Sequence, residues 1–205
     1  MKVLLVNGSL HEKGCTYTAL CEVAKALEAN GVETEIYWVG KTKIGGCMGC
    51  WACKKTGQCV LDDGLNEFVV KAAEFDGYVF GSPVYYASAS GALVSFMDRL
   101  FYSAGKKLAY KPAAAVVSCR RAGASTTFDV INKYFTINNM PVVGANYWNE
   151  VHGNKAEEVL QDEEGLQTMR ILGNNMAWLL KCIEKGKEAG LAPVKERKIM
   201  TNFIR

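Results

Sequence analysis

Short apolar runs recur along this chain, separated by stretches of helical pattern. That alternation restricts the fold more than any other feature. Lys2–Asn7 is apolar and stops at Gly8-Ser9. Residues 32–39 alternate Val32, Thr34, Ile36 and Trp38 against Glu33 and Glu35. Residues 78–80 close on Gly81-Ser82-Pro83, and residues 113–118 form a continuous apolar run. A run of the last kind suits a strand covered on both faces. Residues 140–147 read as a fifth strand. Between these runs, residues 16–30 place Leu20, Val23, Ala24 and Leu27 at helical spacing, with Gly31 as the stop. Asp62-Asp63 sit where acids favour a helix start, and that helix runs to about Phe75. Residues 90–101 and 126–138 are helical, and residues 157–187 form a final helix or helix pair. Five strands separated by helices predict an α/β fold, a parallel sheet with helices on both faces.

The chain has 205 residues, enough for one full-sized domain over 1–205 and short for two. No internal repeat or linker divides it. Hydrophobic residues make up 49% and charged residues 22%, which sets it apart from disordered chains. A net charge of +3 with no basic stripe gives no reason to expect nucleic acid. Residues 77–97 carry no charge, but Pro83, three Gly and four Ser argue against a membrane span. Met1-Lys2 leads straight into the first strand, with no room for a signal-peptide core. The expected compartment is the reducing cytoplasm, where clustered cysteines read as metal-binding or redox-active rather than as disulfides.

In such a sheet, ligands bind beyond the C-terminal strand ends, where strand order reverses. Three loops therefore come into view. Residues 8–18 join a strand to a helix with two glycines, the hydroxyls of Ser9, Thr16 and Thr18, and outward backbone N–H groups. That combination suits a phosphate. It carries neither GxGxxG nor a P-loop lysine. The loop after the third strand holds Pro83, Val84, Tyr85, Tyr86 and Ser88, and its tyrosines suit stacking on a flat ring. The loop at 118–123 offers Cys119, Arg120, Arg121 and the flexible Gly123. His11 and His152 are isolated histidines and read as loop residues. No catalytic dyad stands out.

Four of the eight cysteines fall in CMGCWACKKTGQC: Cys47, Cys50, Cys53 and Cys59, within a glycine-rich loop over 45–61. Three cysteines at three-residue spacing plus a fourth can wrap an iron–sulfur cluster. Four thiolates also make a structural zinc site, although zinc more often uses two separated CxxC knuckles. Thiols that only line a neighbouring site are the third reading. Cys15, Cys21, Cys119 and Cys182 read as small core or loop residues.

The Gly8-Ser9…Gly14-x-Thr16 loop, the Gly81-Ser82-Pro83-Val84-Tyr85-Tyr86 loop and the Phe96-Met97-Asp98-Arg99 run resemble the NAD(P)H-dependent FMN reductase branch of the flavodoxin-like superfamily. Cys47-x2-Cys50-x2-Cys53-x5-Cys59, followed by Val60-Leu61-Asp62-Asp63, is similar to the iron–sulfur flavoproteins of that branch. The resemblance covers nearly the whole chain and weakens after residue 150. It implies a flavodoxin-like three-layer sandwich with a five-stranded sheet in the order 2-1-3-4-5. It implies FMN, with its phosphate on Ser9, Thr16 and Thr18. The isoalloxazine would lie on Pro83, Val84, Tyr85, Tyr86 and Ser88, its pyrimidine edge toward Cys119, Arg120 and Gly123. Tyr86, Arg120 and Arg121 are then the residues placed to tune the ring or hold the nicotinamide phosphate. Cys15 departs from the pattern, since many relatives carry Asn there.

The activity implied is transfer of hydride from NAD(P)H through FMN to a quinone, azo, flavin or protein acceptor. A [4Fe-4S] cluster on Cys47, Cys50, Cys53 and Cys59 belongs to the same implication, with zinc and metal-free thiols as its alternatives. Such proteins form homodimers or homotetramers. One rival is a pure electron-transfer module between proteins, although small flavodoxin carriers tend to be strongly acidic and this chain is not. The other is a zinc-binding or thiol-regulatory protein on the same scaffold.

Overall fold

The computed structural model describes residues 1–204. Its elements are β1 (Lys2–Asn7), α1 (Cys15–Ala29), β2 (Glu33–Trp38), α2 (Ala52–Thr56), α3 (Leu65–Ala72), β3 (Gly77–Tyr85), β4 (Ser88–Ala89), α4 (Gly91–Leu108), β5 (Ala113–Cys119), α5 (Ala124–Ile137), β6 (Glu150–His152), α6 (Ala156–Val159) and α7 (Glu163–Glu188). Five strands pair in parallel in the order β2-β1-β3-β5-β6, and β4 folds back antiparallel on the end of β3.

Period-two side-chain alternation divides β1 between two cores. Val3 and Leu5 face one side with Leu20 and Val23 of α1 and Leu172 and Met176 of α7. Leu4 and Val6 face the other with Phe68 of α3, Phe96 of α4 and Phe135 of α5. Every residue of β5 is buried, as a central strand covered on both faces requires. α1 and α7 approach closely where α7 carries a glycine. A Cβ on Gly173 would lie 2.6 Å from Ala26 Cβ and 2.8 Å from the Val23 carbonyl oxygen.

Three expectations need correction. The sheet has six strands rather than five, because residues 82–90 form a hairpin where a loop was expected. Beyond the Asn7–Gly81 pair β1 has ended, so Pro83 sits on a strand with one open edge, where its missing N–H is tolerated. The last parallel strand is Glu150–His152, not residues 140–147. Pro141 and Val143 each make one backbone bond to Ala113, at 2.9 Å, and only an isolated bridge results. The chain then leaves β5, and the side chain of Asn149 donates to the Ala115 carbonyl at 3.0 Å in place of a ladder bond. Finally, α4 runs on to Leu108, beyond the expected stop at residue 101, burying Ala104 and Leu108 in register with Leu100.

Candidate functional site

β1, β3, β5 and β6 end at one edge of the sheet, and the loops that follow them enclose a cleft of about 760 Å³. Its lining includes Ser9, Thr16, Pro83, Val84, Tyr85, Cys119 and Arg120. The structure therefore brings together most of the residues named for a flavin, from segments far apart in sequence.

The floor of the cleft is the turn into α1. Asn7, fully buried at the end of β1, fixes this turn from both sides. Its side-chain Oδ1 accepts from Ser9 N at 3.1 Å, and its Nδ2 donates to Glu12 O at 2.9 Å. Trp38 Nε1, at the end of β2, donates to Ser9 O at 2.8 Å. Ser9 Oγ accepts from His11 N at 3.1 Å, which leaves its own hydroxyl hydrogen for a ligand. α1 then starts at Cys15 with no side-chain cap and no acid in its first turn. The helix cannot satisfy its first N–H groups internally, and its dipole favours an anion there. An anionic group fits this end of the cleft.

The three expected hydroxyls are not equivalent. Thr16 is buried, and its Oγ1 shares a 2.8 Å hydrogen bond with Ser118 Oγ at the end of β5. Thr18 donates to Gly14 O at 3.2 Å, so its hydrogen is used within the helix, and it lies outside the cleft lining.

The wall is the β3–β4 hairpin facing the β5–α5 loop. Gly123 caps α5 at φ 89°, and a Cβ there would meet Val84 Cγ1 at 2.8 Å. Glycine thus lets the two loops touch. Tyr85 lines the cleft, whereas Tyr86 sits at the hairpin tip at φ 57°, fully exposed, and Tyr86, Ser88 and Gly123 lie outside the lining.

Burial pushes the Cys119 thiol up, with Glu150 adding to the effect. Burial likewise raises Cys15, whose Sγ donates to Gly153 O at 3.5 Å. Both cleft thiols therefore stay protonated near neutral pH. His152 faces Asp162 rather than a ligand, at 3.7 Å from Nδ1 to Oδ2.

The cysteine loop leaves β2 at the same edge of the sheet. Cys47, Cys50, Cys53 and Cys59 all line one small cavity of about 50 Å³, together with Trp51 and Arg99. Among the described residues, no three His, Cys, Asp or Glu side chains converge as a ligand set for a single metal ion. All eight cysteines are free thiols. Trp51, at φ 61°, starts α2 and packs edge-on against Tyr102 of α4, with ring centroids 5.6 Å apart. Cys59 is held by Asn66, whose side chain accepts from Cys59 N and donates to Cys59 O, both at 2.9 Å. The Arg99 guanidinium beside Asp63 holds that carboxyl below its ordinary range.

Sequence reasoning missed Asn7, Trp38 and Ser118, as well as the Gly153–Lys155 rim. It also missed Arg99 as a member of the cysteine site. Arg99 carried a signal: it lies between Phe96 and Leu100 on the apolar face of α4, where a charge needs a buried partner.

Comparison with known proteins places this geometry in context. Residues 1–155 match the family described as NADPH-dependent FMN reductase. An iron–sulfur flavoprotein of Methanocaldococcus jannaschii is 35% identical over 193 residues, covering 90% of this chain and 100% of that protein. A crystal structure of RosB with bound 8-demethyl-8-formylriboflavin-5′-phosphate superposes at a TM-score of 0.75 and 16% identity, over 100% of this chain and 93% of that one. The structure of a flavodoxin from the domain Archaea superposes at a TM-score of 0.61 and 16% identity, over 88% of this chain and 99% of that one. The two structural matches bear on the fold, which is flavodoxin-like.

Proposed function

Since the chain belongs to the NADPH-dependent FMN reductase family of flavin-dependent oxidoreductases, we propose that it binds FMN in the sheet-edge cleft and oxidises NAD(P)H. Electrons then pass to a quinone, azo, flavin or protein acceptor. The observation that carries this reading is the uncapped, acid-free start of α1 at one end of a cleft whose wall is the β3–β4 hairpin.

When bound, FMN supplies hydride acceptance from the nicotinamide and onward transfer of electrons singly or in pairs. The protein's part is placement. The first N–H groups of α1 and the Ser9 hydroxyl hold the phosphate. Pro83, Val84 and Tyr85 give the ring a wall, and Gly123 fixes where that wall stands. Arg120 offers a guanidinium to the ring edge or the nicotinamide phosphate. Tyr86, at the exposed tip, stays available to an incoming nicotinamide or to a neighbouring subunit. The thiols of half-buried Cys15 and buried Cys119 remain neutral and do not repel an anionic ligand.

The cysteine loop extends the reading to a [4Fe-4S] cluster on Cys47, Cys50, Cys53 and Cys59. The residues fit such a group: the four cysteines line one cavity and follow the spacing that can wrap a cluster. A single tetrahedral zinc draws its thiolates closer together than a cluster does. The M. jannaschii relative is named an iron–sulfur flavoprotein, which supports the same assignment. We further propose assembly as a homodimer or homotetramer and a place in the cytoplasm. No helix among the described residues is long and apolar enough to cross a membrane.

Anaerobic purification followed by a visible spectrum and iron, sulfide and zinc analysis tests both cofactors. Bound flavin and about four irons per chain are expected. NADPH should bleach the flavin, and steady-state NADPH oxidation with a quinone or ferricyanide should follow. A colourless chain that takes up no FMN would refute the reading. Bound flavin without turnover by either nicotinamide would leave a carrier of electrons between proteins instead.

A further inference from the structure

Arg99 is the largest fully enclosed side chain of the protein, and it is charged. Its guanidinium reaches four groups. Nη1 and Nη2 grip the Asp63 carboxylate end-on, with Nη2 to Oδ1 at 2.8 Å. Nη1 also donates to Gly45 O at 3.1 Å and Nη2 to Leu61 O at 3.4 Å. Nε donates to Cys59 Sγ at 3.2 Å. Gly45 precedes the first cysteine of the loop and Leu61 follows the last. One planar cation thus joins both ends of the loop and touches one of its four sulfurs.

Asp63 alone accounts for burying the charge, because a bidentate carboxylate is the usual partner of a buried guanidinium. The sulfur contact is additional. An end-on grip by the two Nη atoms leaves Nε free, and the backbone brackets of Asn66 hold Cys59 where Nε can reach it.

We propose that Arg99 is the positioning and potential-setting residue of the cysteine site. Its Nε–H orients Cys59 Sγ as a ligand, and its charge favours the reduced form of the bound cluster. This rests on the cluster reading above. Cluster potentials respond to net charge and to hydrogen bonds to the sulfurs. An added electron makes the site more negative, so a cation in contact with one ligand raises the potential. Asp63 opposes that field, but it meets the guanidinium at the Nη atoms, on the side away from the sulfur contact.

The test uses the full chain, anaerobically reconstituted with iron and sulfide, as wild type, R99K, R99Q and the neutral pair R99Q/D63N. Iron content and a dye-mediated redox titration followed by EPR are the readouts. R99Q should lower the cluster potential so that the reduced-to-oxidised ratio at fixed potential falls about tenfold, 59 mV for one electron. R99K, which keeps the charge, should stay nearer the wild type. R99Q/D63N leaves no unpaired buried charge and covers the case in which R99Q does not fold; it should shift the same way by less. An R99Q or R99Q/D63N protein that holds its cluster at the wild-type potential overturns the proposal while the cluster reading stands. A wild-type chain that takes up no iron overturns the cluster reading and this proposal with it.

Discussion

Replacing Thr16 by Val tests how the start of α1 and the end of β5 are tied together under the cleft. Thr16 and Ser118 are both buried, and their hydroxyls share one 2.8 Å bond. Val keeps nearly the volume of Thr but removes the hydroxyl, leaving Ser118 Oγ without this partner. A buried hydroxyl in that position costs about 1–3 kcal/mol. With an m-value near 2 kcal/mol/M, a loss of about 2 kcal/mol lowers the urea midpoint by about 1 M. S118A should cost a similar amount, because it strands Thr16 instead. T16V/S118A removes both hydroxyls and should be less destabilised than the two singles summed, with a coupling of about 0.5–1.5 kcal/mol. Urea titration of the flavin-free chain, followed by tryptophan fluorescence, measures all three. Single-variant losses that simply add in the double variant, within about 0.3 kcal/mol, would refute the pairing.

G123A forces a left-handed backbone position on a residue with a Cβ and drives that atom into Val84; it should cost about 1–2 kcal/mol and weaken FMN binding in a fluorescence titration. FMN should bind at least tenfold more tightly than riboflavin, the difference being the phosphate on the start of α1; equal affinities in the same titration would remove the phosphate from that helix. Glu22 is pulled in two directions: burial raises it, but bonds from Arg170 at 2.8 Å and Lys25 at 3.3 Å outweigh burial and hold it below its ordinary 4.5. A depressed folded-state value contributes stability above pH 4.5 that is lost as the pH falls through it, so E22Q should flatten the acid limb of a urea-midpoint profile below about pH 4.5. Cys119, raised by burial, should alkylate slowly with iodoacetamide at pH 8 and speed up only above its ordinary 9.0; fast labelling at pH 8 would place the thiol in a different environment.

Much of the sheet was legible because its strands are short apolar runs that helices separate. β1 and β5 could be read directly, since burial on both faces demands unbroken apolar sequence. β6 could not. Only Val151 of its three residues is apolar, and the ladder position before it belongs to an asparagine side chain. Residues 140–147 have the composition of a strand, but the proline and the departure from β5 reduce them to one bridge. α4 passes its expected stop at residue 101 and continues through Gly105, where a Cβ would lie 2.3 Å from Asn138 Oδ1. In the cleft, residues carried by their loops were found, and residues defined by a distant partner were not. Thr16 and Ser118 are 102 positions apart, and nothing local in either reveals their bond. Arg99 shows in sequence only as a charge on the apolar face of α4, and its partners appear once α4 is placed against the cysteine loop.

The close crossing at Gly173 separates two boundaries that are easily confused. The family match ends at residue 155, whereas α7 begins at Glu163. Yet Met169, Leu172, Met176 and Leu180 of α7 close the layer over α1 and the sheet. A chain cut at the end of the match would keep every loop around the cleft except part of its rim, and it would leave one face of the sheet open to water. The stretch that marks ancestry is thus shorter than the stretch that can fold.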